Sequence, residues 1–502
     1  MKYKIFAILL IMISSDSLAN LKMAKRFYNQ RNYKKAANEY YKVYSRTKKV
    51  SSKRKAEWGI AQTLQKTGLL YSSSKYYSTI IRRGKKRNNP YFRQSLEELG
   101  RVNAKLSLGR AHVTKLFKKN IRTADIPGPA RGFYFYYRGV DAFGKRRFEK
   151  AASYFKKVPS SSEYYLGAVF HQGVIANLSG KSSRSISYFE RVLAGSRSGF
   201  RNQEIREMSL LNIARVHYEK KRYAKSISYY GQIPRSSENW LEALWESSWA
   251  FFFMEKYNNT LGNIHTLHSP FFENRFYPES FILNAITYLR LCRYSSVKDS
   301  MADFKKRYSP VFADVKGMLR KYKGNSKGFY RLVDDYKRGR LRSYKKAEQI
   351  IKKLSSIDAY KGARDTLRFA DRELDMLRRY RVWGSSGLLK SLNGFLKSKK
   401  KSAVSTAGSI MYKEGASYYA QLLELSNQTK LIVAEMQLGK LQTLRSLIST
   451  DRGDKKVQFI GGLQKLKLNE TLEYWPFEGE YWEDELGFYV YNLESLCKKS
   501  KG

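Results

Sequence analysis

Histidine occurs five times in this chain of 502 residues, proline nine times and cysteine twice. The few histidines leave little for metal chemistry. His265 and His268 share one helical face, but no carboxylate or third ligand stands at metal spacing beside them. No H-E-x-x-H, G-x-S-x-G or Walker pattern occurs, and acid pairs such as Asp334 and Asp335 read as the outer surface of a helix. The chain is therefore expected to be no enzyme and to need no cofactor or metal. The scarcity of proline, with 39 tyrosines in an aromatic fraction of 15%, fits long helices with tyrosine-rich seams and excludes a disordered chain.

Acidic residues are the other shortage. There are 43 Asp and Glu against 96 Lys and Arg, a formal charge of +53. Such a chain attracts acidic partners, whether nucleic acid, anionic lipid headgroups, acidic cell-wall polymer or an acidic protein. At a Debye length of about 8 Å only clustered charge acts strongly on them. Net charge also serves solubility alone, and it does not bear on fold.

A bilayer-spanning run is missing as well. Residues 1–19 have the layout of a secretory signal peptide: Lys2 and Lys4, an apolar run from Ile5 to Ile13, then Ser17-Leu18-Ala19 as a small-x-small cleavage site. That run of nine falls short of the about 20 residues a span needs, and no cysteine near the cleavage site is available to carry a lipid. The expected protein is exported and soluble, in the periplasm, and at most peripheral to a membrane. Export argues against nucleic acid as its natural ligand.

Against these absences stands one repeated pattern. The segments YRGVDAFGKRRFEKAASYFKKV and HQGVIANLSGKSSRSISYFERV each place a small residue (Gly139, Gly173), a second one twelve positions on (Ala151, Ser185) and a phenylalanine four further (Phe155, Phe189), with a period of 34. The same internal spacing recurs in Ala24, Ala36 and Tyr40; Ala61, Ser73 and Tyr77; Ala214, Ser226 and Tyr230; Ser248, Thr260 and Ile264; and Ala285, Val297 and Met301. A small residue on one helix lets the next approach closely. The large apolar side chain then fills the groove shared with the following pair. This order and period resemble the tetratricopeptide repeat (TPR), a helix-turn-helix unit that stacks into a superhelix. The resemblance implies an all-α, right-handed α-solenoid over residues 20–310. It also implies a protein-binding scaffold, since TPR proteins hold peptides or partner domains in the groove of their first helices.

The step of 78 residues from Ala61 to Gly139 leaves room for one degenerate helix pair near 82–125, following the basic loop Arg82, Arg83, Lys85, Lys86 and Arg87. Asp125-Ile126-Pro127-Gly128-Pro129 then breaks the array. Pro159, Pro234, Pro270 and Pro310 fall just past predicted second helices, where proline ends a helix harmlessly. Residues 311–460 lose the period and predict a separate helical module or cap with long helices over 341–381 and 411–450. Leu431, Ala434, Leu438, Leu441 and Ile448 form one apolar stripe there. A stretch rich in Gly, Ser and Lys, including Lys397, Lys399, Lys400 and Lys401, is read as lying between those helices.

Residues 461–502 form an acidic, aromatic tail. From Leu468 to Cys497 there is no Lys or Arg, while eight carboxylates and many aromatics crowd together. Two readings stay open: a latch, whose carboxylates pair with the basic repeats while Trp475, Phe477 and Trp482 anchor in a pocket, or a hook for a separate basic partner. High effective concentration in one molecule favours the latch. The tail also faintly resembles the ends of exported TPR proteins of delta-proteobacterial envelope machines, such as those of gliding motility. Cys292 and Cys497 are candidates for a disulfide in an oxidising compartment, closing a loop of about 205 residues, roughly 5 kcal/mol in the chain-entropy model. The other candidate surface is a ridge of turn residues, Lys145, Arg146, Arg147, Lys181, Lys220, Lys221 and Arg222, suited to an anionic polymer or an acidic protein, though turns are polar in any case. Two functions follow. The favoured one is an adaptor for proteins of a cell-envelope assembly; the alternative is a binder of anionic polymer such as peptidoglycan, lipopolysaccharide or nucleic acid.

Overall fold

The computed structural model describes residues 19–106, 113, 121–195, 202–450 and 479–497. Most of the proposed signal peptide, together with Trp475 and Phe477, lies outside them. All regular elements among the described residues are helical, and consecutive helices pack as neighbouring pairs.

The physical basis of the pairing is the same in all seven copies of the repeat. Seven residues after the first small residue, the chain takes a left-handed backbone: Arg31, Gly68, Arg146, Gly180, Lys221, Glu255 and Cys292 all have φ between 51° and 83°. Each closes its helix with the same two bonds. In the third copy, Arg146 N–H donates to the Phe143 carbonyl at 2.9 Å and Arg147 N–H to the Ala142 carbonyl at 2.9 Å; in the fifth, Lys221 N–H reaches Tyr218 at 2.8 Å and Arg222 N–H reaches His217 at 2.9 Å. This closure satisfies carbonyls that a helix end otherwise leaves orphaned, and it reverses the chain. Five of the seven left-handed residues are not glycine, so tertiary packing outweighs a cost of about 1–2 kcal/mol at each.

What it delivers is close approach. Ala24, Ala36, Ala61, Ser73, Ala151, Ser185, Ala214, Ser226, Ser248, Thr260, Ala285 and Val297 are wholly buried. A Cβ on Gly139 would come within 2.5 Å of the Phe155 ring, and one on Gly173 within 2.6 Å of the Phe189 ring. In three copies the hydroxyl of the second small residue bonds back to the first: Ser185 donates to the Gly173 carbonyl at 2.9 Å, Ser226 to the Ala214 carbonyl at 2.8 Å and Thr260 to the Ser248 carbonyl at 3.4 Å, whereas Ser73 donates within its own helix to the Leu70 carbonyl at 2.7 Å. The repeat aromatics Tyr77, Phe155, Phe189 and Tyr230 are buried core.

The chain divides into two compact units. One comprises residues up to 205 together with 358–409; the other comprises 206–357 and the residues from 410 onward. The region beyond 311 therefore does not stand as a module of its own. In the first unit, helix Asp358–Leu377 packs on helix Leu70–Arg82, and Leu388, Leu392 and Leu396 join the same core as Tyr71 and Tyr77. The Trp383 indole N–H donates to the Lys34 carbonyl at 2.7 Å. Glu373 caps the helix Leu70–Arg82: its carboxylate accepts from Tyr71 N–H at 2.6 Å, Ser72 N–H at 2.9 Å and the Ser72 hydroxyl at 2.5 Å. In the basic loop, Arg83 grips the buried Glu57 and Lys85 the buried Asp125, so both serve the interior. Of the degenerate pair, helix Phe92–Leu106 is described and most of 107–120 is not; two short 3-10 turns occupy the Pro-Gly break.

In the second unit, Pro310 lies inside the helix Tyr294–Lys321 and not beyond its end. A proline costs a helix interior about 3 kcal/mol. Val297, Met301, Phe304, Tyr308, Val311, Val315 and Met318 bury one face at helical spacing, and at about 1.5–3 kcal/mol for each large apolar side chain they outweigh it. Lys397, Lys399, Lys400 and Lys401 also depart from expectation, for they sit within one continuous helix, Leu388–Thr450. Lysine is a good helix former, and the break lies upstream at Gly384 to Gly387, where Gly387 has φ 82°. The expected helix over 341–381 is divided, into Glu348–Ser356 and Asp358–Leu377. The stripe on the long helix is its outer face: Leu431, Leu438 and Leu441 are exposed, while Gly439 admits the Tyr294 ring, whose hydroxyl lies 2.9 Å from where a Cβ would stand. The Ile448 side chain lies outside the described set.

Burial raises the Glu373 carboxyl to about 7, against the opposing effect of its three hydrogen bonds. Folding then takes up a proton between the ordinary carboxylate range and pH 7, so stability falls as pH rises through that window, by up to about 3 kcal/mol. Glu373→Gln is expected to flatten this dependence in thermal unfolding between pH 5 and 8, whereas an unchanged slope would place it on another group.

Candidate functional site

The described tail lies along a face built by three successive stretches of the second unit. Gly487 N–H donates to the Thr266 hydroxyl at 2.9 Å. Tyr491 N–H donates to the Asn258 carbonyl at 3.1 Å, and the Asn258 side chain reads Leu493 on both sides, accepting its N–H at 3.0 Å and donating to its carbonyl at 3.3 Å. Leu496 N–H reaches the Leu291 carbonyl at 2.9 Å, and a disulfide joins Cys497 to Cys292. Arginines bind the tail by its backbone: Arg235 donates to the carbonyls of Asp484, at 2.9 Å, and Glu483, and Arg293 donates to that of Glu494 at 3.1 Å.

Two glycines make this approach feasible. On the helix Tyr257–His268, a Cβ at Gly262 would stand 1.7 Å from the Tyr489 carbonyl oxygen, so only glycine lets the tail backbone lie on that helix. On the tail, Gly487 has φ 90° and a Cβ there would meet the Trp240 ring at 2.8 Å. Between them Leu486 is buried. His265 gathers the rings, with Tyr481 stacked at 4.7 Å and Tyr489 edge-on at 4.7 Å, and its Nδ1 hydrogen-bonds the Tyr491 hydroxyl at 3.2 Å. Burial pushes the His265 imidazole down to about 4, which keeps it neutral at ordinary pH and suited to apolar ring packing. His268 serves a different role, stacked on Phe281 at 3.9 Å and bonded to the Ser280 hydroxyl at 2.8 Å.

Several expectations change here. Glu483 and Asp484 are exposed and form no ion pair among the described residues, so the seating does not rest on those carboxylates. Charged oxygens keep their hydration at the surface, and the arginines take the carbonyls instead. Trp482 is 52% exposed and fills no pocket; the seated side chains are Tyr481, Leu486, Tyr489 and Tyr491. Cys292 is in the turn after helix Glu279–Arg290, in the left-handed position of the repeat. The seven basic turn residues are all exposed, but Lys145, Arg146, Arg147 and Lys181 belong to the first unit and Lys220, Lys221 and Arg222 to the second. Lys145 also spends its charge on Asp141 at 2.6 Å. Among the described residues no group of three or more His, Cys, Asp or Glu could hold a metal ion, and no helix is long and apolar enough to cross a membrane.

Asn258, Gly262, Thr266, Arg235 and Arg293 were not singled out from sequence. Their one visible signal is Gly262, a glycine inside a helix at a position the repeat does not reserve for a small residue.

A methyl at Gly262 strikes the tail, yet it favours the helix by about 1 kcal/mol. Gly262→Ala is expected to leave helix content unchanged by circular dichroism. In reduced protein it should raise the chymotrypsin cleavage rate within Tyr481–Tyr491 at least tenfold, and equal cleavage rates would show that the close approach does not hold the tail.

No family model matches the chain, and a search of curated proteins returned no match.

Proposed function

We propose that this chain is a non-enzymatic, exported TPR-like scaffold, a right-handed array of helix pairs that holds other proteins of a cell-envelope assembly. The observation that carries this reading is the grip on the tail. Helix pairs of the second unit bind an extended polypeptide through its backbone, with one asparagine reading both sides of a residue and a glycine admitting the main chain. Surfaces of this kind bind chain in preference to small molecules. The layout of residues 1–19 supports export, and an exported chain meets a compartment in which a disulfide persists.

The repeat core supports the same role. Paired helices buried at small residues leave their outward faces free to vary, which is how stacked repeats present extended surfaces. The rival reading, an anionic-polymer binder, rests on the exposed basic turns.

Crosslinking in intact cells, followed by identification of neighbours, tests the proposal. Specific envelope proteins should be captured, and purified protein should retain them at moderate salt. Binding that falls steeply with salt and disappears in Lys145→Glu, Arg146→Glu, Arg147→Glu protein would instead select the polymer reading, since displaced counterions make such binding salt-labile.

A further inference from the structure

The tail is pinned by one set of its residues and displays the other. Tyr491 and Leu493 turn their N–H groups to Asn258, and the Tyr489 carbonyl lies over Gly262. In a trans peptide N–H and C=O point to opposite sides, so the Val490 N–H faces away from that helix. Neither the backbone of Val490 nor that of Asn492 makes a hydrogen bond among the described residues. The side chains alternate in the same way: Tyr489, Tyr491 and Leu493 are partly covered, while Phe488 and Val490 are 69% and 43% exposed. Trp482 and Leu496 extend the apolar display, at 52% and 61%. Four exposed large apolar side chains within fifteen residues, beside a main-chain edge that is unpaired among the described residues, form the kind of surface to which a further extended chain adds.

The charge of this strip selects the partner. Glu483 and Asp484 are exposed and unpaired among the described residues, Glu494 is exposed, and no Lys or Arg occurs from Leu468 to Cys497. Arg235 donates to the carbonyl oxygens of Glu483 and Asp484 and lies over the Phe488 ring at 5.3 Å, and among the described residues it makes no ion pair with either exposed carboxylate. At a Debye length of about 8 Å, this local acidity acts on a docking chain despite the +53 of the whole protein. We propose that the stapled tail is a docking strip for a basic, extended polypeptide segment. That segment pairs its backbone with Val490 and Asn492, covers Phe488 and Val490 with its apolar residues, and sets its cations beside the strip's carboxylates. The inference rests on the scaffold reading and names the kind of partner.

The test uses the oxidised full-length chain and two fluorescent octapeptides, one alternating Lys with Val and the other Glu with Val, followed by anisotropy at physiological salt. The Lys-Val probe should bind and the Glu-Val probe should not. Phe488→Ser with Val490→Ser should weaken the Lys-Val probe at least tenfold, as should Glu483→Lys with Asp484→Lys, while Lys145→Glu leaves it unchanged. Mobility with and without reductant checks that each variant keeps its staple. Equal affinity for the Phe488, Val490 variant, or preference for the Glu-Val probe, overturns the proposal. So does self-association by sedimentation that those same substitutions abolish, because the occupant is then a second copy. If that variant still captures the same neighbours in cells, the docking strip fails and the scaffold reading stands. If the probe behaves as expected while no specific neighbour is captured, the scaffold reading fails alone.

Discussion

Close approach of two helices at a pair of small residues is the constraint on which the rest of this fold depends. Wherever that approach recurs, the turn between the helices has to reverse the chain in the same few residues, and it does so with one left-handed residue and two hydrogen bonds in every copy. A lysine, a glutamate, a cysteine and two arginines accept that backbone because the buried small residues on both sides leave no alternative path. Side-chain identity at the turn is thereby released from structural duty. That freedom explains how Cys292 can occupy a repeat turn and serve the tail, and why so many turn residues are basic.

The repeats were legible because the interaction is periodic: each copy states the same small-small-aromatic spacing, and seven statements in phase leave little ambiguity. The region after 311 was not legible for the opposite reason. Its contacts occur once each. Glu373 capping Tyr71 and Ser72 joins residues some 300 positions apart, and nothing near Glu373 distinguishes it from a surface carboxylate. Pro310 and the lysines near 400 misled in a related way, since local propensity says where a helix is weak and burial decides whether it continues. The apolar stripe at Leu431, Leu438 and Leu441 has helical spacing but faces outward, because the helix packs through Ile432 and Gly439.

The tail shows where composition reaches its limit. A run of carboxylates in a basic chain invites an electrostatic latch, and its place against the repeats of the second unit agrees with that outcome while the forces do not. Exposed ion pairs contribute about 0–1 kcal/mol each. Backbone hydrogen bonds in a partly buried cleft, rings packed around a neutral His265 and a disulfide across 205 residues make a firmer attachment. Main-chain groups have no signature in a sequence, so the contacts that matter most were the least visible. Gly262 is the exception, because a glycine inside a helix costs about 1 kcal/mol and something must compensate.

Two features of the tail then need a common cause: a covalent staple and an outward apolar face. A segment meant only to cover the repeats would turn its large apolar residues inward and leave polar ones outside. This one seats Tyr489 and Tyr491 yet leaves Phe488, with only Arg235 over its ring, and Val490 exposed, and it is held so firmly that the exposed set cannot exchange places with the seated set. A one-residue slip would reverse the two faces, and the reading of Leu493 by Asn258, the glycine beneath Tyr489 and the disulfide at Cys497 each oppose that slip from a different point. Fixing register so strictly stabilises a surface whose value lies in what it presents, an acidic strip on a strongly basic chain.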